Sequence, residues 1–118
     1  MPQLLVIRWR DIPAQVIARE GRVTEKRELP VRFVDAIDRA AMRAGLKDSD
    51  GYLGEWQRGE DKGLLAEAQA MAGVNAGLAA LANAALASLE VAYDDERLKT
   101  LTLNDGFAVN IDPSHPKK

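Results

Sequence analysis

Between Gly63 and Leu89 the chain reads "LLAEAQAMAGVNAGLAALANAALASL", and Glu67 is its one charged residue. A helix on the surface of a soluble protein normally keeps a charged face for water. A stretch without one has to be hidden, and whatever hides it decides the architecture. The spacing predicts one continuous helix from about Leu64 to Tyr93, with 64–92 as its body. Leu64, Met71, Val74, Leu78, Leu81 and Ala85 fall on one heptad-like stripe. Ala70, Gly73, Ala76, Gly77, Ala80, Ala84 and Ala87 make the far side uniformly small. Such a helix is either central in its own domain or buried by another chain. A chain of 118 residues can hardly cover it all round, so a homodimer or hetero-complex through helix 64–92 is the expectation. Gly73, Ala76, Gly77, Ala80 and Ala84 are the expected oligomer interface, with Gly73-x-x-x-Gly77 allowing close helix contact. A membrane span is the competing reading. The polar Gln69, Asn75 and Asn83 and the lack of basic flanks argue against it.

The remainder bounds the class. The length fits one domain, 1–112, followed by a tail, 113–118. Sixteen basic residues stand against eighteen acidic ones, so no overall field draws the chain to nucleic acid or to an anionic membrane. Cysteine is absent, which excludes disulfides and thiol nucleophiles. "MPQLLVIRW" has no basic residue ahead of its short apolar run, unlike a secretory signal. The expected compartment is the cytoplasm.

Leu4-Leu5-Val6-Ile7 is apolar on both alternating faces, as in a strand at a sheet centre. Asp11-Ile12-Pro13 forms a turn, "QVIARE" returns antiparallel, and "VTEKREL" has the charges of an edge strand. Pro30 suits a helix start, and Phe33, Ile37, Ala41 and Ala44 form the buried stripe of the helix that ends at Gly45. Asp48, Ser49 or Asp50 caps a second short helix carrying Tyr52, Leu53 and Trp56. Asn104-Asp105-Gly106 marks a hairpin or a helix-to-strand turn near the C-terminal end. The fold class is therefore α+β: a small, mostly antiparallel sheet built on the N-terminal hairpin, with a possible C-terminal strand, packed against three to four helices.

Most motifs reduce to bland chemistry. "AAMRAGLKDSDGYLGEW" has a helix-turn-helix rhythm, but Asp48, Asp50 and Glu55 at the second helix repel phosphates. "DSDG" lacks the fifth-position oxygen ligand of a calcium loop. His115 stands alone in the tail, and no glycine-rich phosphate loop is present. No nucleophile–base pair or metal cluster is visible, so no catalytic residue, metal or cofactor is assigned. One polar stretch stands out: Arg8, Trp9, Arg10 and Asp11. Arg8 and Arg10 share a strand face opposite Trp9 and are placed to fork a carboxylate or phosphate from a partner or small-molecule ligand. Acids on the neighbouring strand, such as Glu20 or Glu28, are the structural alternative.

"WRDIPAQVI", "KREL", "FVDAIDRAAMRAG" and "YLGEW" resemble a small domain family labelled "virulence factor". The family is similar to the C-terminal region of conserved virulence factor C and has stand-alone alphaproteobacterial members. The resemblance covers about residues 3–58, centres on Trp9 to Val16, and carries no catalytic residues. It implies an accessory subunit, since stand-alone members often lie beside folate- and corrinoid-linked one-carbon enzymes. A non-catalytic interaction domain is therefore the leading functional expectation, and a binder of a small anionic, folate-like ligand is the alternative.

Overall fold

A computed structural model describes residues 1–46, 50–73 and 75–108. The N-terminal apolar run forms β1 (Gln3–Trp9), which turns back into β2 (Ile12–Glu20) and then β3 (Val23–Glu28). The fourth strand is β4 (Trp56–Glu60), and the sheet order is β3-β2-β1-β4, every neighbour antiparallel. β1 and β2 are thus interior strands, which explains why Leu4, Leu5 and Val6 are all buried. Pro13 cannot donate to a ladder, and the strand accommodates it with a bulge. Ile7 pairs with Gln15 but Arg8 pairs with Pro13, leaving Ala14 as the extra residue.

The two sheet faces differ. Leu4, Val6, Val16 and Ala18 line one, and it is covered by α3 (Lys62–Ala72) and α4 (Leu78–Ala92). Arg27 of β3 donates to Asn83 of α4 at 2.8 Å, which ties the edge strand to that layer. Leu5, Ile7 and Ile17 point to the other face, and Leu5 and Ile17 stand apart from the contiguous core. At the hairpin end α1 (Val31–Arg43) packs on β2 and on α5 (Asp95–Leu103). Its buried stripe is Phe33, Ala36, Ile37, Ala40 and Ala41; Ala44, expected on it, is half-buried at the C-cap. Gly45, at φ +76°, ends the helix in a conformation that suits glycine.

Two expectations are corrected. The helix expected over 64–92 is a hairpin of two helices, α3 and α4. Gly73 ends α3 with φ +99°, and Gly77 is the N-cap of α4. Two glycines four residues apart weaken helix propagation, and folding the segment back lets both halves bury a stripe on one sheet face. Leu64, Leu81 and Ala85 are buried as expected, whereas Met71 is exposed; Val74 lies outside the described residues. The second short helix, α2 (Asp50–Gly54), stops before Trp56, which opens β4. β4 occupies the free edge of β1, residues 104–106 form the expected turn, and 109–112, where most of the possible C-terminal strand would fall, lie outside the described residues. Asp48, Ser49, His115 and the tail 113–118 lie outside the described residues.

Candidate functional site

β1 ends in the Trp9-Arg10-Asp11 stretch, and the chain turns there at a cost. Arg10 takes φ +54°, a left-handed conformation uncommon for a residue with a Cβ. That turn aims two consecutive backbone amides outward. Arg10 N–H donates to Glu55 O at 3.2 Å, and Asp11 N–H donates to Gly106 O at 2.8 Å. Segments far apart in sequence are thereby joined to the tip of one strand.

The side chains complete the junction. Trp9 is fully buried, and its Nε1–H donates to Tyr52 O at 2.9 Å. Its indole lies 5.7 Å from the Tyr52 ring, which meets Trp56 edge-on at 6.1 Å. The Arg10 guanidinium lies between two rings, 5.0 Å from Trp9 and 4.3 Å from Phe107. Its Nη1 donates to Asp105 O at 2.8 Å. Its Nε lies 3.5 Å from Glu55 Oε1, near enough for charge attraction but outside hydrogen-bond geometry. Asp11 Oδ2 accepts from Ala108 N–H at 2.7 Å. Gly106 sits against Trp9, where a Cβ would lie 2.8 Å from Cζ3.

Arg8 goes elsewhere. Its Nη2 donates to Asp61 Oδ2 at 3.1 Å, while Asp61 Oδ1 caps α3 by accepting from Leu64 N–H. Arg8 and Arg10 therefore do not fork one acceptor. The left-handed turn at Arg10 breaks the strand alternation on which that expectation rested, and neither Glu20 nor Glu28 is the partner. Arg8 lines a cleft of about 220 Å3 with Asp61, Glu67, Tyr93 and Arg97, where carboxylates already balance the guanidiniums. A groove of about 510 Å3 between α1 and α5 is lined by none of Arg8, Trp9, Arg10 and Asp11. The stretch acts as a clamp inside the fold. Sequence reasoning missed its partners Tyr52, Glu55, Asp105, Gly106 and Phe107. The turn at Asn104–Gly106 was legible, but nothing local links it to residue 10.

The second set of candidate residues is divided by the helix break. Gly73, Ala76 and Gly77 fall at the α3–α4 connection. Ala84 is buried and Ala80 is exposed. The outer surface of the helical hairpin comprises Ala66, Ala70 and Met71 of α3 with Ala79, Ala80, Ala87 and Val91 of α4. The charged residue among them, Glu67, accepts from Ser88 Oγ at 2.7 Å. Among the described residues no helix is long and apolar enough to cross a membrane.

These features define a small α+β domain whose most distinctive sequence motif is a structural junction. The family model described as "Virulence factor" matches residues 7–102, and the chain belongs to that family. The match runs past the N-terminal half and takes in the alanine-rich hairpin as well as α5. No curated protein and no solved structure shows a significant match to the chain.

Proposed function

We propose that this domain is a non-catalytic protein-interaction module, an accessory subunit that docks through the outer surface of its α3–α4 hairpin. The observation that carries the reading is the small-residue character of that surface, from Ala66 and Ala70 to Ala80 and Ala87, with Glu67 as the charge among them. An exposed surface with so little charge loses little hydration when covered, and alanine lets a partner backbone approach closely. Against this, Arg8, Arg10 and Asp11 are engaged within the chain, which leaves the anionic-ligand alternative without support. The setting implied by the family resemblance makes a folate- or corrinoid-linked one-carbon enzyme the first partner to examine.

The test is co-purification from the native host with Ala80→Arg and Ala87→Glu. Both positions are exposed, so the variants should keep the wild-type circular dichroism spectrum and lose the partner. A photo-crosslinking residue at position 87 should label the same protein. Retention of the partner by both variants refutes the reading.

A further inference from the structure

β4 is an edge strand, and the backbone along its outer side is open. Arg10 N–H reaches Glu55 O, and Asp61 N–H reaches Leu4 O. Residues 55, 57, 59 and 61 therefore bond inward to β1, and strand alternation turns the amides and carbonyls of Arg58 and Glu60 outward. Gln57, Arg58, Gly59 and Glu60 are all exposed. Among the described residues no group meets the outward backbone of Arg58 or Glu60, and neither side chain has an ion pair or hydrogen bond. Gly59, between them, has no reason within this chain to be glycine. Glycine weakens a strand interior and marks a bulge, a bend or the close approach of another backbone. β4 pairs with β1 without a bulge, Gly59 does not take a positive φ, and a Cβ there would meet nothing within 4 Å.

We infer that this edge pairs antiparallel with the β4 edge of a second copy, about a two-fold axis at Gly59, joining the two sheets edge to edge. An isologous contact requires a surface that complements itself, and charge selects the register. Outward residues must face outward residues. Centring the pair on Arg58 sets two guanidiniums against each other, and centring it on Glu60 sets two carboxylates together. Centring on Gln57 puts Arg58 against Trp56 and leaves Glu60 unmatched. Centring on Gly59 puts Arg58 opposite Glu60 of the second copy, twice, on one sheet face. Each of those pairs exchanges two backbone hydrogen bonds, and the two Gly59 backbones meet about 4.5 Å apart with no side chain between them. The other edge shows the contrast. Leu29 N–H reaches Ala14 O, so Lys26 and Glu28 are outward residues of β3, and they flank Arg27. The same two-fold there would force Arg27 against Arg27, a charge that blunts the edge.

Size sets the strength. A strand of some five residues, about 3.4 Å each, in a layer about 10 Å thick covers roughly 200 Å2 per copy, well under the ~800 Å2 per partner of a standard stable complex. The dimer is therefore weak, with a dissociation constant in the high micromolar range or above, and it depends on salt.

Sedimentation equilibrium of the full chain up to about 1 mM, with amide hydrogen exchange read by NMR across the same range, tests the inference. Wild type should self-associate, more weakly at high salt. Exchange at the Arg58 and Glu60 amides should slow several-fold as concentration rises, while Gln57 and Gly59, already bonded to β1, should change little. Arg58→Glu and Glu60→Arg should each raise the dissociation constant about tenfold, because each converts two attractive contacts into repulsive ones. The double variant R58E/E60R should recover wild-type association within a few-fold. Gly59→Arg, which copies the centre of β3, should abolish the dimer; with open space around that position, its monomer should keep the wild-type circular dichroism spectrum. A wild type that stays monomeric overturns the inference, as does unchanged exchange at Arg58 and Glu60, or a dimer that the double change does not rescue. The same charges also admit β4 against β3 of a further copy, Arg58 facing Glu28 and Glu60 facing Lys26, a contact that never closes. Species that grow beyond the dimer and are broken by Glu28→Arg assign that contact and refute the two-fold. Ala80→Arg should leave self-association intact; loss with Ala80→Arg but not with Arg58→Glu assigns the contact to the α3–α4 hairpin and refutes the edge pairing.

Discussion

Gly106→Ala is the sharpest probe of the junction at Trp9. The new Cβ would lie 2.8 Å from Trp9 Cζ3, 3.2 Å from Cε3 and 3.4 Å from Arg10 Cβ. Neither side can move away freely. Trp9 is fully buried, and Gly106 is held by its N–H to Leu101 O at 2.7 Å and by its carbonyl to Asp11 N–H at 2.8 Å. Gly106 also has φ +94°, a conformation that costs alanine about 1–2 kcal/mol. Overpacking a filled core adds about 1–3 kcal/mol, for a total of about 2–5 kcal/mol. Gly21→Ala is the internal control. Gly21 has φ +62° in the β2–β3 turn, but nothing lies within 4 Å of its added Cβ. It should lose only the conformational part, about 1–2 kcal/mol. Urea unfolding followed by tryptophan fluorescence measures both, and a melting scan should separate them at about 4 °C per kcal/mol. In a Trp9→Leu background the penalty at Gly106 should fall to that at Gly21. Equal losses for the two single variants, within about 0.5 kcal/mol, would refute the claim that the turn is wedged against the indole.

The two arginines of the opening strand should behave differently. Arg10→Gln loses a charged hydrogen bond and contacts with two rings, about 2–4 kcal/mol in urea unfolding; Arg8→Gln, whose ion pair is over a quarter exposed, loses at most about 1 kcal/mol. Asp61→Ala removes both the α3 cap and the Arg8 partner. It should cost about 1–2 kcal/mol, and adding Arg8→Gln to that variant should change the urea midpoint no further.

Elements with strong local periodicity were legible in the sequence. β1 and β2 announced themselves by apolar runs, α1 by its stripe and Gly45 stop, and the edge position of β3 by its charges. β4 was not legible. "WQRGE" has no apolar alternation, and it becomes a strand only because the edge of β1 is there to pair with it. The neutrality of 64–89 marks a surface that needs cover, and the helix break supplies part of that cover from within the chain. Gly73 and Gly77 looked like a close-contact motif and instead end and begin helices, so the segment covers much of itself. At the candidate site, the roles of Arg10 and Asp11 depend on a left-handed turn and on partners some ninety-five residues away, which no local pattern encodes.

That separation has a consequence for how the chain is made. Arg10 finds Asp105 O, and Asp11 finds Ala108 N–H, only after 95 and 97 further residues have been added. At ~5–20 residues per second, the first hairpin waits about 5–20 s for the turn that closes over its tip. During that interval the indole of Trp9 lacks Gly106 against it, and Arg10 lacks the Asp105 carbonyl and the Phe107 ring that hold its side chain. Folding of this domain is therefore completed from its far end. A ribosome stalled before residue 104 would carry a nascent hairpin with an open tip, a natural substrate for chaperones that bind exposed aromatic side chains.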